Sequence, residues 1–135
     1  MGAWGTGPFE NDEACDWAYE LEEGGVTYVS DALSAIAKAK PTDYADAHDC
    51  CNAIAAAEVV AAMHGKGLKK LPEDVEAWIS TKPKPNPSLK ALAATALDRI
   101  GSNSELKELW DEGGSDSEHT KAWYAHLADL KARLQ

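Results

Sequence analysis

A chain of 135 residues that is 44% apolar can bury a core of its own and is too hydrophobic for intrinsic disorder. Its 23 acids against 13 bases leave a net charge of −10, a field that repels nucleic acid and anionic membranes. The longest nearly apolar run, Ala53 to Met63, is interrupted by Glu58 and is too short to cross a bilayer.

Charge is unevenly placed. Residues 1–37 hold eight acids (Glu10, Asp12, Glu13, Asp16, Glu20, Glu22, Glu23, Asp31) and no Lys or Arg. Such a stretch is either a solvated face or an attractor for a basic partner. Three cysteines, two of them adjacent at Cys50 and Cys51, make a poor disulfide framework and read as reduced thiols. With no basic region and apolar block at the start, the expected location is the cytoplasm.

In chain order the signals are helical, and the expectation is an all-α bundle of six to seven helices forming one domain over residues 1–135. Asn11 reads as the N-cap of a first helix, with Asp12 and Glu13 against the positive end of its dipole. Ala14, Trp17, Ala18 and Leu21 form its buried stripe, and Gly24-Gly25 should end it. A second helix carries Val26, Val29, Leu33, Ile36 and Ala37 and stops before Pro41. A third is expected from a Thr42 cap to the break at Gly65, and its alanines predict a central position where neighbours approach closely. A short fourth helix starts at Pro72 and carries Val75, Trp78 and Ile79. Prolines 83, 85 and 87 predict a stiff connector at about 81–88, the other reading being a ligand for a proline-recognising groove.

The fifth helix follows Asn86-Pro87, with Leu89, Leu92, Ala93, Ala96, Leu97 and Ile100 in register and Gly101 as its stop. Ser102 with Glu105 suggests a capping box for a sixth helix bearing Leu106, Leu109 and Trp110. Ser115 with Glu118 repeats the device for a last helix with Trp123, Leu127, Leu130 and Leu134.

The opening "MGAWGTGPFENDEACDW" admits three readings. Gly2 with Thr6 fits the loose N-myristoylation pattern, but the second anchoring signal, a basic patch, is replaced by acids. Gly5-Thr6-Gly7 leads towards a helix N-terminus, but without a phosphate-loop Lys, and acids fill the first turn. The third reading, a structural plug, is preferred: Gly2, Trp4, Gly5, Gly7, Phe9, Asn11, Asp12 and Trp17 form an N-terminal motif packed on the third helix. On that helix, steps of about 100° per residue from Tyr44 put Ala47, Cys51, Ile54, Ala55, Ala62 and Glu58 on one face. A carboxylate there needs donors, and residues 2–9, with Trp4 and Phe9 as anchors, are expected to supply them. The competing reading makes Glu58 a general base with His48 or His64 nearby.

"DAHDCCNA" gathers possible metal ligands, yet on a helix His48 points about 60° from Cys51 and about 160° from Cys50. No second ligand pair completes a tetrahedral site, so no metal and no cofactor are expected. A Cys–His nucleophile lacks any surrounding motif, and the five tryptophans (4, 17, 78, 110, 123) read as core.

The opening seventeen residues, with the later "AAAEVVAA", "SELKELWDE" and a terminal W…L…DL…RL pattern, resemble the bacterial family called domain of unknown function 4259. The resemblance implies a small cytosolic stand-alone domain and brings no reaction, cofactor or catalytic residue with it. The functional expectation is therefore an immunity- or antidote-like acidic binder of a basic protein, through Glu13, Asp16, Glu20, Glu22 and Glu23. The alternative is an enzyme or small-ligand binder built on Glu58.

Overall fold

The computed structural model describes residues 5–114 and 116–135, and these contain seven helices and no strand. They are α1 (Asp12–Tyr19), α2 (Leu21–Ala37), α3 (Ala47–Met63), α4 (Glu73–Ser80), α5 (Pro87–Ser102), α6 (Glu105–Glu112) and α7 (Glu118–Arg133). Among the described residues no helix is long and apolar enough to cross a membrane.

Helix α3 is the axle of the bundle and touches all six others. Cys50, Ala53, Ala55, Ala56, Ala57, Val59 and Val60 are fully buried, so the helix is apolar almost all round, as an enclosed helix must be. Packing on it come Trp17 from α1, Leu33 and Ile36 from α2, Ile100 from α5, Leu106 from α6 and Leu130 from α7, all buried in one core. The glycine-rich opening lies against this helix as expected: Gly5 to Pro8 border a narrow cleft shared with Cys51 and Ile54 of α3.

Caps fix most boundaries. The Asn11 side chain accepts from the Ala14 N–H at 2.8 Å, and the Asn86 side chain accepts from Ser88 and Leu89 ahead of Pro87. Several expected boundaries move. Helix α1 stops at Tyr19, and the break expected at Gly24-Gly25 instead interrupts α2, where Gly25 adopts φ 60° and ψ −149°, a conformation in practice reserved for glycine. Thr42 is not a cap: α3 starts later, with the Asp46 carboxylate accepting from Asp49 N–H at 2.8 Å, and Tyr44 is exposed in the preceding loop. Ser102 belongs to the last turn of α5, which runs through Gly101. Ser104 takes the capping role for α6, accepting from Lys107 N–H at 3.1 Å. Glu105 then serves a different helix, since its carboxylate accepts from the Ala47 N–H of α3 at 2.7 Å. Ser115 lies outside the described residues, and Ser117 holds the N-cap position of α7. The proline stretch lies between α4 and α5 without regular secondary structure.

Candidate functional site

Two groups of carboxylates dominate the chemistry, and they have opposite surroundings. The first is Glu58, fully buried at the heart of α3. Both of its oxygens meet the Arg133 guanidinium at 2.7 Å, and the Leu68 N–H donates to Oε2 at 3.0 Å. Arg133 also donates to Asp129 and to the Lys66 carbonyl, each at 2.9 Å, so the last turn of α7 and the loop after α3 close over the carboxylate. For residues 5–9 this corrects the expected pairing. Glu58 is satisfied from the far end of the chain, and no residue from 5 to 9 bonds to it. Gly2 and Trp4, the other expected contributors, lie outside the described residues. A two-pronged guanidinium and a backbone amide fill three of the roughly four acceptor positions of a carboxylate, so the fold holds Glu58 as one half of an ion pair.

The histidines proposed beside it are occupied elsewhere. His48 is exposed and its Nε2 meets the Asn52 amide nitrogen at 3.4 Å, while His64 Nε2 accepts from the Asn86 N–H at 3.2 Å. Burial pushes the Cys50 thiol up to about 11 and the Cys51 thiol up to about 12, Cys51 being raised further by the nearby Glu13 carboxylate. Neither forms a thiolate near neutrality. Among the described residues no group of three His, Cys, Asp or Glu side chains comes together as a metal site would require.

The N-terminal motif is tied locally. Glu10 accepts from the Gly7 N–H at 3.0 Å and donates its own N–H to the Gly7 carbonyl at 3.1 Å. A methyl group on Gly5 would meet the Glu10 carboxylate, the far end of an exposed and flexible side chain, which would have to swing aside. Phe9 is buried, and its carbonyl accepts from Cys15 Sγ at 3.2 Å. Asp12 is exposed in the first turn of α1, and Trp17 is buried and stacks on Tyr28 with centroids 4.9 Å apart.

The second carboxylate group covers α1 and the start of α2. Glu10, Asp12, Asp16, Glu20, Glu22, Glu23 and Asp31 are all exposed, and Glu13 is partly buried. Among the described residues the ion pairs are Lys107–Asp111, Lys131–Asp98, Arg133–Glu58 and Arg133–Asp129, so none of these eight acids is paired. Within this field Tyr19 is 79% exposed and Val26 38% exposed. Sequence reading missed Tyr19, although its position between Trp17 and Leu21 takes it off the apolar stripe of α1.

Neither the curated proteins nor the solved structures contain a match to this chain. A family model does match, over residues 2–125, a stretch that includes Glu58 and the acidic helices and stops before Arg133. The chain belongs to the family described as domain of unknown function (DUF4259).

Proposed function

We propose that the protein is an interaction module of the cytoplasm, an immunity- or antidote-like acidic protein that covers a basic partner. The observation that carries this reading is Tyr19, a 79% exposed aromatic ring set among Asp16, Glu20, Glu22 and Glu23, all exposed and none in an ion pair among the described residues. Large aromatic side chains in water are the residues that most often anchor protein interfaces. Unpaired carboxylates around the anchor steer a basic surface towards it and penalise acidic ones. The three donors on the buried Glu58 carboxylate support a structural role for that residue.

The test is capture from lysate of the source organism at low salt, with elution in salt steps and identification by mass spectrometry. A stoichiometric basic protein released by salt is expected, and Tyr19→Ala combined with Glu20→Gln, Glu22→Gln and Glu23→Gln should abolish its capture. A bait that stays bare at low salt, or a partner that binds the quadruple variant equally well, would refute the proposal.

A further inference from the structure

Three segments distant in sequence converge on a cleft of about 380 Å³: the turn at residues 7–10, the loop after α3, and α7. Its walls are held in place by bonds already described. The turn is closed by the two Gly7–Glu10 hydrogen bonds and anchored by the buried Phe9. The loop is held by the core ion pair, since the Leu68 N–H donates to Glu58 and the Lys66 carbonyl accepts from Arg133. His126 comes from α7, three residues after the buried Trp123. A cleft with walls fixed in this way is formed before any ligand arrives.

Its polar groups carry opposite charges. Glu10 enters from the turn and Lys70 from the loop, with His126 as a third polar group. Although Glu10 and Lys70 line one cleft they do not pair with each other, and neither joins another ion pair among the described residues. Pro8, Phe9 and Leu68 supply apolar surface around them. Gly7, Pro8 and His126 also border the narrow slot between α3, α6 and α7, whose walls are Ile54, Leu106, Trp110, Trp123 and Leu127. That slot has a volume of about 20 Å³, room for one water-sized group. A polar mouth thus opens onto a short apolar throat, which is the make-up of a small-molecule site.

We infer that this cleft binds an apolar α-amino acid, with the carboxylate on Lys70, the ammonium on Glu10 and the side chain over Pro8, Phe9 and Leu68 towards the throat. The two charges select a zwitterion. An anion without an ammonium would lie beside the Glu10 carboxylate, and a cation without a carboxylate beside the Lys70 ammonium, each a like-charge contact. A zwitterion meets an opposite charge at both ends. Glu10 keeps its place in the turn meanwhile, because the Gly7 N–H engages Oε1 and a carboxylate has a second oxygen to offer. The His126 ring, neutral or charged, has an N–H for the ligand's carboxylate. Tyr19 takes no part, so the site is independent of the basic partner.

The test is titration of L-leucine, L-valine and L-methionine into the full chain, followed by NMR at the Trp123 indole and the His126 ring. Trp78, which lines neither the mouth nor the throat, is the control. Saturable shifts at Trp123 and His126 but not at Trp78 are expected with at least one of the three. The N-acetyl derivative of the tightest binder lacks the ammonium, and its amide lacks the carboxylate. Each should bind roughly tenfold or more weakly than the parent, as loss of a charge-assisted hydrogen bond predicts. Two variants then assign the ends. Lys70→Gln should weaken the amino acid by a similar factor and leave its amide unaffected. Glu10→Gln, which keeps an acceptor for the Gly7 N–H, should weaken the amino acid and leave the N-acetyl derivative unaffected. Saturation by none of the three, or equal binding of either derivative, would overturn the inference. So would a bound amino acid whose affinity neither variant changes, since the ligand would then sit elsewhere.

Discussion

Glu58 and the acids of α1 are the same functional group in two environments. In the core, one carboxylate has three donors and no contact with water; on the surface, seven exposed carboxylates share no cation among the described residues. Burial of a charge is tolerated only when the fold supplies partners, so the core carboxylate is bound to the architecture. Surface carboxylates need nothing from the fold, because water solvates them. A surface charge pattern with no structural demand behind it is free to be shaped by a partner, and that difference is what the proposed division between a stabilising and a recognising carboxylate group rests on.

The largest effect expected from disturbing this contrast is at Arg133. Arg133→Ala leaves Glu58 buried beside an unfilled position and frees the loop carrying Lys66 and Leu68. Breaking a buried pair from one side costs about 3–5 kcal/mol, and the partial exposure of Arg133 points to the lower end. Urea unfolding should show this as a lower midpoint. Adding Glu58→Leu to an Arg133→Met background should recover much of the loss, since an apolar pair leaves no orphan charge. If Arg133→Ala unfolded at the wild-type midpoint, the core carboxylate would have to be regarded as satisfied from elsewhere.

That pair also marks the limit of what the sequence discloses. Periodicity located all seven helices and predicted that the alanine-rich one is central, because 3.6-residue spacing and small side chains are local properties. It picked out Glu58 as a carboxylate in an apolar stretch for the same reason. The partner lies 75 positions away on α7, and nothing local to either residue announces the contact. Caps were misplaced where two candidates stood close together, as with Ser102 and Ser104, since a side-chain oxygen two residues off is indistinguishable until the backbone turn is known.

The thiols extend the contrast to pH. Cys50 and Cys51 have folded values of about 11 and about 12 against an ordinary 9.0, with burial the main cause in each. The unfolded chain therefore loses these protons first as pH rises. Their contribution is fully present below pH 9 and is lost progressively from pH 9 towards 11–12. Stability measured by urea midpoint should fall across that window, and Cys50→Ala with Cys51→Ala should flatten the fall whatever it does to stability at pH 7. Alkylation at pH 8 should leave both thiols unmodified in the native state and reach them on unfolding.

Smaller effects come from chain punctuation. Asn11→Ala removes the acceptor for the Ala14 N–H and should cost about 1 kcal/mol, while reorienting the first turn of acids towards weaker partner binding. Lys82 works in the opposite direction. It sits just past the end of α4 with φ 57°, a left-handed position that glycine ordinarily fills. Lys82→Gly should raise stability by about 0.5–1 kcal/mol, the relief of side-chain strain outweighing the extra freedom of the unfolded chain. Thermal or urea unfolding reads both.

The smallest change in stability is expected where the largest change in binding is. Glu20→Gln, Glu22→Gln and Glu23→Gln together remove three charges, none of them ion-paired among the described residues, and surface substitutions of this kind stay within about 0.5 kcal/mol. Their removal also lessens the mutual repulsion of a −10 chain, so any shift should be towards greater stability, most visible at low salt where screening is weak. Unfolding curves at 10 mM and 500 mM salt separate the outcomes. A gain at low salt that vanishes at high salt identifies the acids as a field held against the fold's own interest, which is what a recognition surface requires. A loss of stability on the same substitution would instead make these acids structural, and the distinction between the buried and the exposed carboxylates would collapse.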